Sequence, residues 1–146
     1  EILRVLKNGR CAVISGWGPP ENNESGMLVR RLLTEVLNIA PVPLDAPGPY
    51  RFSKAGAITD LFESAGFREV REIDIKGEVI FDSPLHYWNF ISEMQLPIIN
   101  ALEKADEKMR EEIKSFVIEE AGHFEKGGKI KFKWHAKAAR GTKKNF

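Results

Sequence analysis

The apolar positions of this chain change rhythm several times, and each change marks an element. Ile2, Leu3, Val5 and Leu6 form the end of an amphipathic helix, with Lys7 at its C-terminus and Asn8-Gly9 as the closing turn. Cys11, Ala12, Val13 and Ile14 then form an unbroken apolar run, the pattern of a strand covered on both faces as in a parallel sheet. Ser15-Gly16-Trp17-Gly18-Pro19-Pro20 is expected to be loop, because proline has no amide for a ladder. From Met27 to Leu37 the period is helical: Leu28, Val29, Leu32, Leu33, Val36 and Leu37 share a broad face and Asn38 suits the residue just past the end. Pro41, Pro43, Pro47 and Pro49 make residues 39–51 an extended, stiff connection.

The stretch from Phe52 to Phe81 organises the rest. Ser53 suits an N-cap, Ile58, Leu61, Phe62 and Ala65 recur at helical spacing, and Gly66 stands where a left-handed residue closes a helix. Ile73 and Ile75 alternate with charged residues, and Val79 and Phe81 continue the same parity, which predicts a strand with its apolar side inward and a bend at Gly77. Ser83 and Pro84 predict the start of an aromatic helix through Met94 carrying Tyr87, Trp88 and Phe90. Pro97 breaks or restarts it. A short helix to Lys104 and a longer one from Asp106 to Ala121 follow, and Gly127-Gly128 turns the chain. In the last strand Ile130, Phe132, Trp134, Ala136 and Ala138 alternate with Lys129, Lys131, Lys133, His135 and Lys137, which predicts an apolar face and a lysine face that is either solvated or covered by helix with the lysine heads reaching out. A helix laid on its own strand is the repeating unit of layered α/β proteins, so the fold class is α/β.

At 146 residues, 42% of them apolar and 29% charged, the chain suits one domain with a buried core. A net charge of +1 argues against a strong overall field for polyanions. The single cysteine, Cys11, allows no internal disulfide and reads as a small buried strand residue. No apolar run approaches the roughly 20 residues that span a bilayer, and no signal peptide is visible, so the expected setting is cytoplasmic. The chain opens at Glu1 inside a helical pattern, as if in the middle of something larger.

Two stretches carry a family resemblance. Glu1-Ile2-Leu3-Arg4-Val5-Leu6-Lys7-Asn8-Gly9-Arg10-Cys11-Ala12-Val13 resembles the segment leading into the fifth strand of class I S-adenosylmethionine-dependent methyltransferases of the ubiquinone/menaquinone-methyltransferase-like group. Leu61-Phe62-Glu63-Ser64-Ala65-Gly66-Phe67-Arg68-Glu69-Val70 resembles the helix and sixth strand of that family, and Trp17-Gly18-Pro19-Pro20 and Phe81-Asp82-Ser83-Pro84 also resemble its members. Asn8 replaces a usual proline and Arg10 a usual glycine. The resemblance implies the C-terminal part of a Rossmann-like methyltransferase sheet: three strands in the order five, seven, six, the seventh antiparallel, in a single partial domain over 1–146 with a helical insertion at 82–121. The family holds its cofactor on a glycine-rich loop after the first strand and an acidic residue after the second. Gly16-Trp17-Gly18 does not substitute, because Pro19-Pro20 remove the amides a helix N-terminus would offer. Intact relatives would use S-adenosylmethionine on a small-molecule methyl acceptor; this chain alone is expected to bind no cofactor and to be inactive.

Candidate substrate contacts are Trp17, past the end of a strand, Tyr50 at the end of the proline-rich connection and Phe52 just after it, and Tyr87 and Trp88 on the aromatic helix. Each has a plainer reading as loop anchor or core. No catalytic residue is assigned. His86, His123 and His135 lie far apart with no cysteine or carboxylate at ligand spacing, so no metal is expected. Asn23-Glu24-Ser25 matches a glycosylation sequon by chance. A fifth strand without its fourth leaves one sheet edge bare, which predicts a homodimer or swapped assembly through Cys11–Ile14. Two rival readings are a non-enzymatic RNA-binding module using the basic strand and tail, Lys129–Lys144, and a protein–protein partner completing a split enzyme.

Overall fold

The computed structural model describes residues 1–43 and 46–144, so Leu44 and Asp45 of the proline-rich connection lie outside the described residues. Its elements are α1 (Ile2–Val5), β1 (Cys11–Trp17), a 3-10 turn (Pro20–Asn22), α2 (Glu24–Arg31) continued by a π-helical segment (Leu32–Val36), α3 (Ala57–Ser64), β2 (Arg68–Phe81), α4 (Pro84–Met94), α5 (Leu96–Lys104), α6 (Glu107–Gly122), β3 (Glu125–Lys126) and β4 (Lys129–Thr142). The fold class is α/β with an open antiparallel sheet. The strand order is β1-β4-β2, and β3 pairs with the start of β4. β1 runs antiparallel to β4 in a register from Cys11↔Thr142 to Trp17↔Ala136.

The chain divides into two compact units. The first comprises Glu1–Asn23, Pro43–Gly77 and His135–Phe146. Its core is Ile58 and Phe62 of α3, Phe67, and Ala139 of β4, with Leu3, Leu6, Ala12, Ile14, Phe52 and Val70 against it. The second comprises Glu24–Val42 and Glu78–Trp134. Its core joins Leu28, Val29 and Leu32 to Phe81, Tyr87, Trp88, Ile91, Ile98, Ile113, Val117, Ala121, Ile130 and Phe132.

Several local signals act as the residue types demand. Ser83 accepts from the His86 amide at 3.0 Å and caps α4, with Pro84 in its first turn. Asp106 caps α6 through the Met109 amide at 2.8 Å. Pro97 restarts the chain as α5, which therefore begins at Leu96. Gly66 and Asn38 both take left-handed φ at the ends of their helices, 94° and 52°.

Other expectations are corrected. β1 does not stop at Ile14; it extends through Ser15, Gly16 and Trp17. It is not covered on both faces either. Alternate residues are exposed, Val13 at 64%, and Cys11 is exposed rather than buried. Only the side bearing Ala12 and Ile14 meets the core of α1 and α3. Ser53 is buried and does not cap α3; Gly56, at φ 79°, precedes the helix. In β2 the strand is as predicted and Phe81 is buried, but the rest of its apolar side is not. Ile73 and Ile75 are exposed, whereas Val70 and Glu72 turn inward. β4 has no single lysine face. Ile130 and Phe132 are buried in the second unit, but in the first the buried set is His135, Lys137, Ala139 and Gly141.

Candidate functional site

The densest polar arrangement of the first unit grows from the facing charges of β2 and β4. Successive strand residues point to opposite sides, so Glu72 and Asp74 share a side of β2, as His135 and Lys137 share one of β4. The Lys137 ammonium donates to Glu72 Oε1 at 3.3 Å and to Asp74 Oδ1 at 3.0 Å. His135 Nε2 meets the same Asp74 oxygen at 2.7 Å. Lys137 and His135 are both buried, at 7% and 6% exposure, while Asp74 is half exposed. A buried ammonium persists only with such partners.

Glu72 also completes α3. Its carboxylate accepts from the amides of Gly56 and Thr59 and from the Thr59 hydroxyl, each at 3.2 Å. These are orphan donors of a helix start, where a negative charge also complements the helix dipole. Burial works against the Glu72 charge, but the Gly56 amide, Lys137 and Thr59 together hold its pKa below the usual value. Asp74 is held low by Lys137 first and His135 second, and the Lys137 pKa is raised, chiefly by Asp74, against the pull of burial.

The loop after β1 closes over the histidine. Asn23, buried, accepts from the His135 amide at 3.0 Å and donates to the Pro19 carbonyl at 3.0 Å. The Gly18 amide donates to the His135 carbonyl at 2.9 Å. A Cβ on Gly18 would sit 2.7 Å from the ring, so only glycine lets the backbone pass this close. The Asn22 amide nitrogen lies 3.3 Å from His135 Nδ1. An ionised carboxylate only accepts, so Nε2 donates to Asp74, while the Asn22 side chain stands against Nδ1. Both ring nitrogens are therefore engaged. The ring orients its neighbours and offers no free nitrogen for proton abstraction. The second oxygen of Asp74 makes no hydrogen bond among the described residues and can receive a donor from a ligand. The cluster lies at the carboxyl end of β1, against the amino-terminal part of the β4 segment that pairs with it.

The candidates named from sequence fall in both units. In the first, Trp17 ends β1 and is 44% exposed, Tyr50 is half-buried, and Phe52 packs on the core and lies 3.6 Å from the space beside Gly16. In the second, Tyr87 and Trp88 are core: Tyr87 is fully buried, its ring 5.1 Å from Phe81 and 4.6 Å from Phe132, with its hydroxyl on Ser25 Oγ at 2.9 Å. Burial pushes the Tyr87 pKa up to about 12. The sequence reading missed Glu72, Asp74, His135, Lys137, Asn22 and Asn23. The available signal was two acids at i, i+2 on one strand and two bases at i, i+2 on another, a pattern suited to cross-strand pairs. The basic strand is correspondingly depleted: Lys137 is spent on acids and Lys129 pairs with Asp82 at 3.1 Å.

Among the described residues no group of three His, Cys, Asp or Glu side chains is placed to hold a metal ion, and no helix is long and apolar enough to cross a membrane. No family model and no curated protein matches the chain.

Proposed function

We propose that this chain is the C-terminal, substrate-side part of an S-adenosylmethionine-dependent methyltransferase acting on a small molecule, and that alone it neither binds the methyl donor nor transfers a methyl group. The observation that carries this reading is the strand order. The strand after the Lys7–Arg10 turn and the strand after Gly66 flank β4, and β4 runs antiparallel to β1. The resemblance implies that same arrangement for its fifth, sixth and seventh strands. The helices α4 to α6 lie in sequence between the last two, as an insertion would. In this reading Asp74 and the Gly18–Asn23 loop over His135 face the methyl acceptor. Titration calorimetry of the purified chain with S-adenosylmethionine is expected to show no micromolar binding; such binding, or methyl transfer by the chain alone, would overturn the proposal.

The same reading concerns assembly. β1 is an edge strand, and Cys11–Trp17 holds no charge and no proline, the devices that blunt exposed edges. A dimer or swapped assembly through β1 is expected in sedimentation, with the outward amides of β1 protected from exchange. A monomer with those amides exchanging freely would exclude it.

A further inference from the structure

At the amino end of β1 the first unit holds a second feature that the proposed function does not use. It is an open recess of about 540 Å³ lined by Gly9, Arg68, Glu69, Thr142, Lys143 and Lys144. Its floor is fixed. The Gly9 amide donates to the Lys143 carbonyl at 2.9 Å, the Lys143 amide donates to the Arg10 carbonyl at 2.8 Å, and the Lys143 ammonium reaches the Leu6 carbonyl at 2.8 Å. Positive charge gathers here without partners. Arg68 and Lys144 line the recess, Arg10 follows Gly9 in the turn and Lys7 stands two residues before it, and none of the four makes an ion pair among the described residues.

Two further observations mark the recess as unfinished. The Thr142 hydroxyl is buried in its wall with no hydrogen-bond partner among the described residues, and buried hydroxyls are nearly always paired. Glu69 holds a left-handed backbone at φ 53°, uncommon for a non-glycine residue within a strand. We propose that this recess binds a small phosphate monoester, with Arg68 and Lys144 on the phosphoryl oxygens and Glu69 accepting from a hydroxyl of the ligand. Guanidinium and ammonium groups suit phosphoryl oxygens, Arg by its paired donors and Lys as a point charge. Glu69 decides against a long polyanion. A nucleic-acid backbone crossing the recess would meet its carboxylate, whereas a small ester can turn a hydroxyl toward it.

The test follows amide signals of the whole chain in two-dimensional NMR during titration with inorganic phosphate, glycerol 3-phosphate and a single-stranded RNA. Glycerol 3-phosphate is expected to give saturable shifts at Gly9, Arg68 and Thr142, and to bind more tightly than inorganic phosphate. Arg68→Gln and Lys144→Gln, both at exposed positions, should each weaken it about tenfold, the loss of one charge-assisted contact. Glu69→Gln should strengthen inorganic phosphate and reduce the preference for the ester. Shifts that do not saturate, or that are unchanged in Arg68→Gln, would overturn the proposal. RNA bound more tightly than the ester, and lost in Arg68→Gln, would overturn it in favour of a backbone-binding surface.

Discussion

Lys137→Met is expected to lower the unfolding free energy by about 3–5 kcal/mol, the cost of breaking a buried ion pair by removing one partner. Methionine fills most of the lysine volume, so the loss is electrostatic. Glu72, itself only 13% exposed in its side chain, would keep its bonds to α3 but lose its cation. Adding Glu72→Gln to Lys137→Met should recover much of the loss, because the amide oxygen can still accept from Thr59 while no charge is stranded. Urea unfolding with midpoint and slope fitted separately would measure both variants. A loss below about 1 kcal/mol, the range of exposed pairs, would show that water reaches the Lys137 ammonium.

The same network sets the pH dependence. The folded-state pKa values of Glu72 and Asp74 are depressed, so their contribution is complete above the ordinary values of 4.5 and 3.8 and is lost as pH falls through the folded values. The Lys137 pKa is raised, so its contribution is complete below 10.5 and is lost as pH rises through the folded value. In Lys137→Met the acid limb should move to higher pH, since burial then acts on Glu72 with one cation fewer to oppose it.

These residues also show where the sequence was legible and where it was not. Elements came through wherever a local cause sets them. Ser83-Pro84, Gly66 and Gly127-Gly128 act on their own few residues, and their helices and turns stand where those signals point. The side of a strand that turns inward is not local. Ile73 and Ile75 read as core because apolar groups generally gain by burial. Yet Glu72 and Asp74 find two amides, a hydroxyl, an ammonium and an imidazole on their side, and that satisfaction is invisible until α3 and β4 are placed. The failed cap at Ser53 has the same origin. A carboxylate from a strand sixteen residues beyond Gly56 took the role that a local hydroxyl was expected to fill. The candidate site was missed for this reason, since its members look solvated one strand at a time and become buried only as a set.

Gly141→Ala should be the most damaging single methyl in the first unit, costing about 2–3 kcal/mol, within the range for overpacking a filled core. Gly141 needs no left-handed backbone, so the objection is space alone. A Cβ there would lie 2.5 Å from Phe62 Cδ1 and 2.9 Å from Phe67 Cβ. Neither ring can retreat easily: both are buried, and they stand edge to face at 4.7 Å. If the clash with Phe62 is the cause, the cost should fall sharply in a Phe62→Leu background, although that change is destabilising by itself. Such non-additivity is the signature of two groups competing for one volume. Additive costs would assign the damage elsewhere. Gly16→Ala is the control, since its Cβ would meet Phe52 at an ordinary 3.6 Å and should cost little. The expected damage at Gly141 also reaches the polar cluster. Phe62 is one turn from the Thr59 amide that Glu72 holds, so a displaced α3 would withdraw donors from the carboxylate that neutralises Lys137.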